Sequence, residues 1–222
     1  LSTGVAGLDE ILLGGLLPGQ TYLVRGGPGT GKTMLGLQFL AAGQACGEAG
    51  FYINMAEPGA QIRKNARVLG FDISGVEFLD LSPNSEYFSR SESYDIFSPA
   101  EVEREPTTQK IIAEVERLKP RRIFVDAMTQ FHYLTPDVFQ FRRQILSLLR
   151  YLTERSATVI FSSESSERYP DDDLQFIADG VLHLHSSPDE RTVTVVKYRG
   201  SGFRSGESCT PRVPDTSVSS KK

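Results

Sequence analysis

The stretch Gly26-Gly27-Pro28-Gly29-Thr30-Gly31-Lys32-Thr33 follows the apolar run Tyr22-Leu23-Val24 and fits the pattern G-x-x-x-x-G-K-[ST]. A strand feeding such a loop commits the chain to a strand–loop–helix unit. The glycines let successive backbone N–H groups point at one centre, and the helix starting near Lys32 adds the positive end of its dipole there. A polyphosphate is the natural occupant. Gly27, Pro28, Gly29, Thr30, Gly31, Lys32 and Thr33 would form its cradle. Lys32 is expected to reach the β- and γ-phosphates, and the Thr33 hydroxyl to hold a Mg²⁺ that bridges them.

The rest of the chain alternates around this loop. Strands are expected at 22–24, 51–55, 76–81, 123–126 and 157–161, where short bulky apolar runs are bounded by turn residues. Apolar residues at helical spacing predict a short helix within 3–12 and longer ones after Lys32, through Ile62, Ala66 and Leu69, through Ile111 and Leu118, and over 136–155. Pro58 suits the first turn of the third of these. Residues 181–185 and 193–198 flank a Ser-Ser-Pro-Asp-Glu turn as a hairpin, and 174–178 make at most one helical turn. The fold class is therefore α/β, a mostly parallel central sheet with helices on both faces and a C-terminal antiparallel hairpin. Ligands in such sheets sit at the carboxyl ends of the strands.

Two stretches fall outside this pattern. Residues 82–106 are rich in Ser, Glu, Pro and Tyr without a sustained period, which reads as a surface excursion with one short helix near 99–104. From Ser205 the chain is Ser/Pro-rich and reads as a disordered tail, giving an ordered domain of 1–207 and a tail of 208–222.

Composition narrows the class of partner. With 222 residues, 39% of them hydrophobic, the chain can bury one full core in one domain. Its 24 Lys and Arg against 28 Asp and Glu, net −4, argue against a broad nucleic-acid footprint. Cys46 and Cys209 are too few for a disulfide framework, so a reduced, cytoplasmic setting is expected. No apolar run approaches the ~20 residues of a membrane span, and no signal segment opens the chain. The start at Leu1 rather than Met points to a trimmed chain or one domain of a longer one.

Asp126 ends an apolar strand well after Lys32, where a phosphate-loop protein needs a carboxylate to hold Mg²⁺ through its water shell. Glu57 closes the second strand and is placed either to orient an attacking water or to cap the helix that follows. Lys197 and Arg199 alternate and so share a strand face, which by itself reads as charge guarding an edge strand. Ser163 and Glu164 leave the strand at 157–161, as nucleotide sensors or as a plain strand exit. His183 and His185 share a face without a carboxylate or cysteine partner, and read as structural.

Thr3-Gly4, Leu8-Asp9, Gly14-Gly15-Leu16, Pro18-Gly19, the phosphate loop, Lys64-Asn65-Ala66-Arg67, Gly70-Phe71-Asp72 and Lys197-Tyr198-Arg199-Gly200-Ser201 together resemble the KaiC family of RecA-like ATPases. The resemblance spans about residues 1–207 and implies a RecA-like P-loop core, Mg-ATP, and a homohexameric ring with ATP at the subunit interfaces. It also implies that Lys197 and Arg199 act as fingers on a neighbour's γ-phosphate, that the role is regulatory or signalling with protein partners still to be identified, and that some members phosphorylate their own Ser or Thr, for which Ser165 and Ser166 are the candidates. The family carries two adjacent glutamates where this chain has Ala56-Glu57, so hydrolysis is expected to be slow, or to rest on Glu57. Two other classes share the core: a RecA-like DNA-binding recombination ATPase, and a nucleotide-binding switch with little turnover.

Overall fold

Each of the expected apolar runs becomes a strand in the computed structural model, which describes residues 1–82, 106–131, 137–164, 171–187, 190–204 and 207–209. In chain order these are β1 (Thr21–Arg25), β2 (Gly50–Asn54), β3 (Glu77–Asp80), β4 (Arg122–Asp126), β5 (Thr158–Ser163), β6 (Gly180–Ser186), β7 (Arg191–Tyr198) and β8 (Glu207–Cys209). They form one sheet in the order β3-β2-β4-β5-β1-β6-β7-β8. The first six positions in that order are parallel, and β7 and β8 close the sheet antiparallel.

Helices cover both faces, as the alternation requires. On one face α1 (Ala6–Ile11), α2 (Lys32–Ala45) and α3 (Gly59–Val68) pack through Leu8, Phe39, Leu40, Ile62 and Ala66 onto Tyr52, Phe124 and Ile160. On the other, α4 (Pro106–Leu118), α5 (Val138–Glu154) and α6 (Asp172–Ile177) pack through Ile111, Val115, Phe141, Leu149 and Leu174 onto Leu23, Val125 and Phe161. Strands buried on both faces read as continuous apolar runs for this reason, and β1, β2, β4 and β5 are buried almost throughout.

Three boundaries differ from the sequence reading. β5 continues through Ser162 and Ser163, past the expected strand end at 161, because both hydroxyls find buried acceptors on Asp126 and Asp171. Pro58 occupies the N-cap of α3 rather than its first turn. Glu207–Cys209 pairs with β7, so backbone order continues past Ser205 into the stretch expected as tail. The excursion reading for 82–106 and the paired serines Ser165 and Ser166 lie largely or wholly outside the described residues.

The placement of α2 depends on Gly36. A Cβ there would meet the ring of Phe124 on β4 at 2.2 Å, so only glycine lets the helix lie this close to the strand that ends in Asp126. Phe124 is itself fully buried. Gly36→Ala is expected to cost about 1–3 kcal/mol despite alanine's better helix propensity. The check is a lower urea midpoint at unchanged slope.

Candidate functional site

The phosphate loop leaves the carboxyl end of β1 and turns into α2. Gly29 and Gly31 hold φ of 73° and 100°, a left-handed backbone that favours glycine, and at Gly26 a Cβ would lie 2.6 Å from the Leu184 carbonyl. Thr30 braces the turn from its hydroxyl to the Gly27 carbonyl at 2.9 Å. The first main-chain bond of α2 is Leu35 N–H to Gly31 O, so the preceding N–H groups have no carbonyl four residues behind them within the helix. Those donors are what a phosphate would take.

Lys32 is buried, and its ammonium donates to the carbonyls of Gly26 and Gly27 at 2.9 and 3.0 Å. The loop thus keeps its cation folded along its own rim. Thr33 donates its hydroxyl to Asp126 Oδ2 at 2.7 Å. The two residues that the sequence separates by more than ninety positions are in contact, as a shared Mg²⁺ site requires. Their oxygen-only chemistry fits a hard cation.

Asp126 is 7% exposed and has two further donors that sequence reasoning did not find. Tyr52 on β2 donates to Oδ2 at 2.8 Å, and Ser162 on β5 donates to Oδ1 at 2.5 Å. Tyr52 is aimed by stacking on Phe78 at 4.9 Å and by an edge contact with Phe124 at 5.1 Å. Burial, reinforced by the Asp126 carboxylate, pushes its phenol well above the ordinary tyrosine value, so it remains a proton donor. The only sequence signal for either was a polar side chain at an apolar strand's end or centre.

Glu57 is exposed on the turn between β2 and α3, and with Thr33 it lines a groove of about 320 Å³. It does not cap α3. That position is served by Asp80, whose Oδ2 accepts from Gly59 N–H at 2.7 Å. Asn54, fully buried, ties the turn down by donating to the Glu57 carbonyl and to Asp80 Oδ1, and by accepting from Ala56 N–H. Burial raises the Asp80 carboxyl, but donors on Ser82, Gly59 and Asn54 outweigh it and hold it below its ordinary value.

Lys197 and Arg199 are not near this chain's phosphate loop. Tyr198 is level with Gly180, which is level with Tyr22 near the start of β1, whereas the loop begins after Arg25 at the other end. The Lys197 ammonium is held by the carbonyls of Gln175, Phe176 and Ala178 at the end of α6, at 2.9, 3.3 and 2.5 Å. Burial there and the Arg199 charge draw its pKa below the ordinary lysine value. Arg199 lies just past β7, 58% exposed, 3.8 Å from Asp179. Ser163 donates to the buried Asp171, which also pairs with Arg25 at 3.0 Å, while the Glu164 N–H donates to the Thr129 hydroxyl oxygen. His183 and His185 stack with ring centroids 4.0 Å apart, and no group of three metal-ligating side chains occurs among the described residues.

A family model described as the KaiC ATPase matches residues 1–210. The chain belongs to the KaiC family of ATPases. It is 31% identical to the circadian clock protein KaiC3 of Synechocystis over 93% of its own length and 42% of that protein's. A circadian clock oscillator protein KaiC of Nostoc is 32% identical over 93% of this chain and 41% of its own. The chain therefore spans less than half the length of these clock relatives. A UPF0273 protein of Pyrococcus horikoshii matches at 30% identity over 90% of this chain and 85% of its own length. The KaiC family membership carries the RecA-like fold and ATP binding with it. No described helix is long and apolar enough to cross a membrane.

The Asp80 geometry gives a pH signature. A carboxyl held below its ordinary value of 3.8 in the folded state stabilises the fold above that pH, and the contribution is lost as pH falls through the folded value. Asp80→Asn removes this titration, so its stability should fall less steeply than wild type below about pH 4. Urea midpoints taken from pH 6 to pH 2 check this, and acid limbs of equal slope would count against it.

Proposed function

We propose that this chain is a Mg²⁺-dependent ATPase domain that works within a homohexameric ring, with slow hydrolysis serving a regulatory or signalling role. The observation that carries the reading is the Thr33–Asp126 contact beneath the phosphate loop. Gly27 to Gly31 and Lys32 would hold the phosphates, and Thr33 and Asp126 would hold Mg²⁺, directly and through water. The cation would neutralise charge on the β- and γ-phosphates. Glu57, on the turn that Asn54 and Asp80 fix beside Thr33, would orient the attacking water and accept its proton.

The position of Lys197 and Arg199 supports action in trans. Both lie at the end of the sheet away from their own phosphate loop, so a nucleotide they touch belongs to another copy. Arg199, more than half exposed and 3.8 Å from Asp179, would have only that loose pairing to give up in reaching outward; Lys197 would first have to leave the carbonyls at the end of α6. Ala56 favours a second reading, a nucleotide-dependent switch with little turnover, because the turn offers one carboxylate and not two.

Single-turnover assays with Mg-ATP separate these. Lys32→Ala should lose ATP binding, and phosphate release from it at the wild-type rate would overturn the reading. Glu57→Gln should keep binding and slow release by about 10²–10⁴-fold. Arg199→Ala should bind ATP normally and turn over about 10³-fold more slowly. Mixing Lys32→Ala with Arg199→Ala should restore part of the rate, since an intact loop can then meet an intact arginine across an interface.

A further inference from the structure

The groove between α2 and α3 that Thr33, Glu57 and Asn65 line in part is otherwise apolar, walled by residues that include Leu37, Ile62 and Val68. Val68 is 72% exposed at its rim. Lys64, one turn before Val68 on α3, stands exposed and is in no ion pair among the described residues. An apolar slot with a free cation at its rim calls for an aromatic or aliphatic side chain accompanied by a carboxylate.

The chain carries such a combination elsewhere. Phe176 on α6 is 71% exposed, and Asp172, four residues earlier on the same helix, is exposed beside it. The Phe176 carbonyl accepts from Lys197, so this ring stands at the same edge as Lys197 and Arg199. It cannot enter its own groove, because α3 packs on one face of the sheet and α6 on the other.

We propose that Phe176 of one copy seats in the α2–α3 groove of a second copy, with Asp172 set against Lys64. The inference rests on the ring reading above and gives that ring one of its contacts. Because the two surfaces differ, the contact is head-to-tail, and repeating it builds a closed ring or an open filament rather than a two-fold dimer. It also sets a neighbour's α6 beside Glu57, bringing the Lys197 and Arg199 edge toward the site it would serve.

Light scattering of the full chain with Mg-ATP tests this. Phe176→Glu and Val68→Glu each alter an exposed side chain, so circular dichroism and thermal midpoints should match wild type. Each variant alone should need about tenfold or more higher concentration to assemble. Their equimolar mixture should give a heterodimer and nothing larger, since one intact groove and one intact Phe176 remain in the pair. Wild type that assembles while Phe176→Glu assembles equally well overturns this contact and leaves the ring reading standing. Wild type that stays monomeric overturns both. A mixture that stays monomeric where wild type assembles, or that builds larger species, overturns the head-to-tail pairing.

Discussion

Asp126 is the group on which the rest of the site depends. A carboxylate that nearly closed off from water needs donors, or its burial costs several kcal/mol. Thr33, Tyr52 and Ser162 supply them from α2, β2 and β5, so one side chain fixes the distance between three elements. The close approach of α2 to β4 at Gly36 and Phe124 is the packing that makes this possible. The phosphate loop is therefore anchored at two points, at its strand and at the carboxylate opposite its threonine.

The same end of the sheet carries a polar row. Asp80 is level with Asn54, Asn54 with Asp126, and Ser162 of β5 with Val24 of β1. Parallel strands bring their carboxyl ends to one edge, and the side chains there are bonded in sequence from Asp80 through Asn54 to the Glu57 turn. The position of Glu57 is thus set by β3 and β2 together, not by the helix that follows it.

What could be read in the sequence was whatever is local. The phosphate loop is a contiguous pattern whose glycines are needed for their backbone angles, and Asp126 announces itself as a charge closing an apolar strand. The parallel order of the strands followed from their alternation with helices. Tyr52 and Ser162 were not legible, because an aromatic or a serine in a buried strand has no meaning until strand register puts it beside Asp126. Asp80 was missed for a related reason: it caps a helix that begins 21 residues before it, across a strand pair. Lys197 was legible as a basic residue on a strand, but its engagement with the end of α6 depends on the hairpin's register. Glu57 was given two readings, and the N-cap geometry removes the capping one.

The two strands at the ends of the sheet are both short, β3 with four residues and β8 with three. A long unpaired edge is a template on which another chain can add a strand through its main chain. Among the described residues these two strands offer few free backbone groups of their own for a further strand to pair with. Association between copies of the kind proposed above would rest on side chains, where a single substitution can change which surfaces meet.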